Sequence, residues 1–248
     1  MIHFITYGDS GFAETKKRLL NQAVSLGWFD TTTAYGTEDL DDDFKEKYKH
    51  ILERPRGGGY WIWKPYIIHK HLEKIKDGDI LIYADAGCYI NQGGFKRFKE
   101  YIDMLNDDGN GGTGCISFQM PHHAEDKWTT KEIFEYFNIH DSSSDIRESG
   151  QFIATVRMFK KNANSMNIVS AWLNALYQNP LLFTDHYNDS NRSNKSERFI
   201  DNRHDQSVLS VVCKLYKTTV LEDETYFEEG FGSEKSLRYP FWKTTLRY

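Results

Sequence analysis

The residues of this chain best suited to chemistry fall into two short clusters, each where an apolar segment meets a turn. Ile80-Leu81-Ile82-Tyr83-Ala84 is an apolar run of strand length and ends in Asp85-Ala86-Gly87-Cys88. A carboxylate just past the carboxyl end of a buried strand, followed by small residues, lies where open α/β sheets bind ligands. Such a group can help to hold Mn²⁺ or Mg²⁺ against diphosphate oxygens and so neutralise a leaving group. The competing reading is that it does no more than end a strand and cap a turn. The second cluster, His204-Asp205-Gln206-Ser207, opens a helical pattern carrying Val208, Leu209, Val212 and Leu215. An acid in a first helical turn is explained by capping and by the helix dipole alone. His, Asp and Gln at one helix end are also what recognition of sugar hydroxyls or general-base catalysis requires.

Other residues gather near these two in type. Lys64-Pro65 starts a helix with Ile67, Ile68, Leu72 and Ile75 on one stripe and Asp77-Gly78 as its stop. A lysine at a helix start opposes the dipole, a conflict that an anionic ligand relieves, so Lys64 is a phosphate-contact candidate. Gly57, Gly58 and Gly59 precede it and allow close approach of backbone to a ligand, or serve as a plain connector. Trp61 and Trp63 alternate, so an extended segment sends one toward a base or sugar and the other toward the core. Gln151 offers a donor and an acceptor to hydroxyls, and Arg203 a guanidinium to phosphate. His122 and His123 follow Pro121 and read as exposed loop residues rather than metal ligands.

Tyr-Trp-Ile-Trp-Lys-Pro at 60–65, Asp-Ala-Gly-Cys at 85–88 and His-Asp-Gln-Ser at 204–207 together resemble a group of small bacterial and giant-virus-like glycosyltransferases with the GT-A fold. The resemblance spans about 57–214 and lies in the combination, each piece being weak alone. It implies a Rossmann-like, nucleotide-diphospho-sugar transferase architecture and transfer of a sugar from a nucleotide-diphosphate donor to a saccharide hydroxyl. It further implies a donor site at Tyr7, Trp61, Lys64, Asp85, Ala86, Gly87 and Arg203. Trp63 and Gln151 would meet the acceptor or sugar, and Asp205, His204 and Gln206 would carry catalysis. A weakly held Mn²⁺ or Mg²⁺ at Asp85 completes the expectation. The second Asp of the wider motif is Gly87 here, the best support for the competing reading of a non-catalytic carbohydrate- or nucleotide-binding protein. A nucleotidyltransferase would show a Gly-rich, basic loop after the first strand, and Gly8-Asp9-Ser10-Gly11 is too plain for that.

The rest of the chain must position these groups. Ile2 to Tyr7 is strand-like, and Ala13 to Leu26 is helical with Gly27 as its cap. No GxGxxG fingerprint follows the first strand, which counts against a dinucleotide cofactor. Asp39 to Asp43 reads as a solvated helix start, Phe95 to Leu105 as a helix and Cys115 to Phe118 as a strand. Thr129 and Glu132 have capping-box spacing. Gln151 to Phe159 reads as one strand, Ser142 to Ser144 as a polar loop, Met166 to Tyr177 as a helix and Asn188 to Glu197 as a mobile surface loop. Alternating strands and helices predict a mostly parallel sheet with helices on both faces, in one domain over 1–248.

Composition limits the partners. At 248 residues, with 39% hydrophobic and 15% aromatic residues, a sizeable core is feasible. A net charge of −5 without any basic block argues against a dedicated nucleic-acid binder. Cys88, Cys115 and Cys213 lack metal spacing and read as reduced core thiols. Neither a signal peptide nor an apolar stretch of membrane-spanning length is visible, so a soluble cytoplasmic protein is expected.

Overall fold

The computed structural model describes residues 1–107, 109, 112–140, 145–194 and 198–244. The polar stretch 142–144 and residues 195–197 lie outside the described residues. The strands are β1 (Ile2–Tyr7), β2 (Thr31–Tyr35), β3 (Ile80–Ala84), β4 (Tyr89–Ile90), β5 (Cys115–Ala124), β6 (Gly150–Phe152), β7 (Val156–Lys160), β8 (Thr219–Glu222) and β9 (Phe241–Trp242). Seven form one sheet in the order β2-β1-β3-β7-β5-β6, with β8 also paired to β5. β1, β2, β3, β5 and β8 point one way and β6 and β7 the other. The sheet is therefore mostly parallel and flanked by helices, as the alternating pattern predicts. β4 and β9 make a separate small ladder.

Period-two alternation along β3 decides which way the site faces. Ile80, Ile82 and Ala84 enter the core shared with Phe98 and Tyr101. Leu81 and Tyr83 enter the opposite core, shared with Ile67, Trp172 and Val208. Asp85 continues the second series, so its carboxylate emerges on the side of the Trp63–Lys74 and Asp205–Tyr216 helices.

Several local expectations change, among them that His122 and His123 lie on β5 rather than in a loop. The stretch read as one strand from Gln151 to Phe159 is two strands, β6 and β7, separated at Ile153, Ala154 and Thr155. Hydrogen bonding moves the chain from β5 to β3 across this break: Ile153 N donates to Phe118 O, and Thr155 O accepts from Asp85 N. The Thr129/Glu132 capping box does not form. Thr130 caps the Lys131–Tyr136 helix without a side-chain bond, and Glu132 accepts instead from Asn191 Nδ2 at 2.8 Å. That bond also explains why residues Asn188–Ser193 are a helix rather than a surface loop, with Asn188 and Asn191 buried and paired. Among the described residues no helix is long and apolar enough to cross a membrane.

One buried charge braces β5, β7 and the Asp205–Tyr216 helix. Arg157 is fully buried, and its Nη2 lies 3.1 Å from Cys115 Sγ, 3.2 Å from Cys213 Sγ and 3.2 Å from Ser117 Oγ. A guanidinium stays protonated, so its burial demands an anion. Burial alone would raise the Cys213 thiol, but Cys115, Arg157 and Ser117 outweigh it and hold the thiol at about 6. Because the folded value is depressed, this stability is complete above the free thiol's value and is lost as pH falls through about 6. Urea unfolding across that range should show the slope, and Cys213→Ser should remove it while costing roughly 3 kcal/mol. A pH-independent difference between the two proteins would show that the thiol is neutral.

Candidate active site

Lys64, on the first turn of the Trp63–Lys74 helix, is 2% exposed. Its Nζ lies 3.0 Å from Asp85 Oδ1 and 3.0 Å from Asp205 Oδ2. One ammonium thus joins the end of β3 to the start of the Asp205–Tyr216 helix. The second contact is an ion pair without hydrogen-bond alignment at Asp205 Oδ2. Burial alone would lower the Lys64 pKa, but Asp205 and Asp85 outweigh it and raise it. Asp205 is 3% exposed, and burial together with Asp85 pushes its carboxyl up to about 6 against the pull of Lys64. Tyr83 donates its hydroxyl to Asp85 Oδ1, and burial with that neighbour keeps the phenol protonated.

His204 precedes the helix with φ 58° and ψ −121°, a strained conformation for a non-glycine residue. Its surroundings hold it there. The backbone N–H donates to Asn202 Oδ1 at 3.1 Å, the ring Nε2 is 2.9 Å from Asp185 Oδ1, and Tyr60 stacks on the ring at 5.0 Å. Burial lowers its pKa despite Asp185.

The glycine run is neither a loose connector nor extended. Gly57, Gly58, Gly59, Tyr60 and Trp61 all have positive φ and make one left-handed turn. A Cβ on Gly57 would lie 2.4 Å from the Trp61 ring, and one on Gly59 would lie 2.6 Å from Leu52 Cα. The turn brings both tryptophans to the same place. Trp63 stacks on Tyr7 at 3.8 Å and donates its indole N–H to Gly57 O at 3.1 Å.

Two cavities meet over this cluster. One, of about 620 Å³, is walled by Tyr7, Phe12, Trp61 and Trp63 and reaches Ala86 and Gly87. The other, of about 800 Å³, is polar and takes in Lys64, Arg203, His204, Asp205, Gln206 and the histidines 122 and 123. Arg56, Trp61, Asp85, Thr155, Tyr226 and Lys243 line both and form the seam. Arg56 is held by Asp185 and Asp201 at 3.3 Å each, and Lys243 by Asp223 at 3.2 Å. Thr244 closes the tail over the seam by donating its hydroxyl to Gly87 O.

The site candidates of the sequence therefore separate. Tyr7, Ala86, Gly87 and Trp61 share the aromatic chamber, Asp85 stands on the seam, and Lys64 lines the polar side. Trp63, expected at an acceptor, belongs to the aromatic chamber, because the left-handed turn aims it at Tyr7. Arg203, expected at the donor, lines the polar chamber, its guanidinium 3.9 Å above Trp128. Gln151 is fully buried and lines neither cavity; its Nε2 donates to Glu125 Oε1 at 2.9 Å and Thr129 Oγ1 at 3.2 Å, so it supports the interior. The Gln206 amide donates to Gln151 Oε1 at 2.7 Å and accepts from Ala154 N at 3.1 Å, which fixes the strand break. Arg56, Thr155, Tyr226 and Lys243 were not among the candidates. Arg56 stands directly before the glycine run, the one signal that marks it.

The donor set does not fit the expected divalent ion. Among the described residues no three His, Cys, Asp or Glu side chains converge. Position 87 brings no carboxylate, and the seat between Asp85 and Asp205 is taken by the Lys64 ammonium. Asp85 Oδ1 already accepts from Tyr83 and faces Lys64, leaving one free carboxylate oxygen.

No protein-family model and no curated protein matches the chain. Among solved structures, a glycosyltransferase involved in glycosylation of the major capsid of PBCV-1 is similar at 12% identity and a TM-score of 0.49, covering 97% of this chain and 92% of its own. An active-site mutant of LgtC is similar at 10% identity and 0.48, covering 99% and 88%. Mouse xyloside xylosyltransferase 1 follows at 12% and 0.43, covering 98% and 97%. All three scores are under 0.5, so the functional reading stands on the site itself.

The raised Asp205 carboxyl makes a stability test. A folded value above the ordinary 3.8 means that the favourable contribution is present below about 4 and is lost as pH rises through about 6. Asn mimics the protonated acid and caps helices well. Urea unfolding should therefore show Asp205→Asn gaining stability relative to the parent between pH 4 and pH 7.5. A relative loss over that range would mean that the Lys64 attraction dominates.

Proposed function

We propose that the protein is a glycosyltransferase that moves a sugar from a nucleoside-diphosphate sugar to a saccharide hydroxyl. The observation that carries this reading is the pair of unlike chambers meeting at Asp85. A nucleobase suits the aromatic chamber, where Tyr7, Trp61 and Trp63 offer ring faces. The diphosphate then crosses the seam between Arg56 and Lys243, and the sugar enters the polar chamber beside Asp205 and His204. In the reaction the acceptor oxygen bonds to the anomeric carbon, the bond from that carbon to phosphate breaks, and the diphosphate leaves with the electron pair. The acceptor proton passes to a carboxylate, for which Asp205 is positioned, a buried acid with its pKa raised toward neutrality.

The test is a panel of nucleotide sugars and simple saccharides, followed by turnover of the pair that reacts. Asp205→Asn should lower turnover by roughly 10²-fold or more while leaving nucleotide-sugar affinity little changed. Binding of nucleotide sugars without turnover by the parent protein would favour a non-catalytic binding role. No binding of any member of the panel would reject the site.

A further inference from the structure

We infer that the leaving diphosphate is neutralised by fixed cations of this chain, Arg56 and Lys243, and that no divalent ion is needed for nucleotide binding. The inference rests on the nucleoside-diphosphate-sugar reading of the two chambers. A diphosphate joining a base in one chamber to a sugar in the other must pass the seam. Among the described residues, Arg56 and Lys243 are the cations that line both cavities. Arg56 offers a planar fork suited to phosphate oxygens, and Lys243 a point charge on the opposite segment of chain. The partners of Arg56 are arranged to permit this, while Asp223, the partner of Lys243, lines the polar cavity beside it. Asp185 and Asp201 hold Arg56 from outside both cavities, and each contact is long, at 3.3 Å.

The same geometry disfavours a metal. A divalent ion needs oxygen ligands at roughly 2.0–2.6 Å. At Asp85 it would find one uncommitted oxygen, and it would stand beside an ammonium already 3.0 Å from that carboxylate. Asp205 cannot turn to it without releasing Lys64 into a buried site with one partner fewer. Gly87 adds no ligand, and its carbonyl accepts from Thr244. A cation built into the fold performs the neutralisation that a bound ion would otherwise supply.

Calorimetric titration tests this with the uridine, guanosine, cytidine and adenosine diphosphates, each in excess EDTA and again with millimolar MnCl₂ or MgCl₂. At least one should bind in EDTA, with an affinity that added metal changes by less than about threefold. Arg56→Gln and Lys243→Gln should each weaken that diphosphate by about tenfold or more while leaving the parent nucleoside unchanged. A merely structural effect would weaken both ligands. Both side chains are partly exposed, so the folded variants are accessible. Binding seen only with metal would overturn the inference and leave the transferase reading standing. Absence of binding under either condition would remove both. Metal-free binding that neither substitution weakens would overturn the assignment of these two cations.

Discussion

A single buried ammonium ties the site together. Lys64 stands between Asp85 and Asp205, which come from different elements and would repel each other without it. Burying Lys64 is costly, and removing its ammonium would leave two carboxylates facing each other, commonly at 3–5 kcal/mol for a buried pair. The arrangement sets where the end of β3 meets the start of the Asp205–Tyr216 helix. It also resolves the conflict of a lysine at a helix start: the opposing dipole is answered by two carboxylates of the protein rather than by a ligand.

Everything near Lys64 is shaped around that contact. The break between β6 and β7 opens the sheet at Ala154 and Thr155, so that Ala154 O lies 3.5 Å from Lys64 Nζ and Thr155 reaches the seam. Gln206 closes the break by accepting from Ala154 N. The left-handed turn at residues 57–61 carries non-glycine residues in a conformation that costs roughly 1–2 kcal/mol each. In return it sets Trp61 between the two chambers and Trp63 against Tyr7. Strain gathered next to a cavity in this way fits a site whose shape outweighs local stability.

Much of the fold was readable in the sequence because it depends on local periodicity. β1, β3 and the helices Ala13–Leu26, Phe95–Asn106 and Asp205–Tyr216 follow their apolar patterns closely. That Asp85 stands at the end of β3 was readable because the apolar run Ile80–Ala84 has strand length and stops there. What escaped depends on long-range pairing. Gln151 looks available until Glu125 and Thr129 are seen to enclose it, and 153–155 looks continuous until β3 and β5 compete for it. Trp61 and Trp63 share a chamber rather than facing opposite sides, because the glycines impose a turn where alternation presumes an extended segment. Lys243 lies in a basic, aromatic tail whose sequence says nothing of where it folds. The buried charge of Arg157 is invisible for the same reason, since only the fold brings Cys115 and Cys213 to it.

The central claim is that one seam over Asp85 divides base from sugar. The most direct measurement is a crystal structure of the protein with the nucleoside diphosphate that raises its melting temperature most. The account expects the base in the aromatic chamber with Tyr7, Trp61 and Trp63, and the diphosphate within hydrogen-bonding distance of Arg56 and Lys243. Lys64 should still bridge Asp85 and Asp205. A base seated in the polar chamber, or a diphosphate held away from both seam cations, would contradict it.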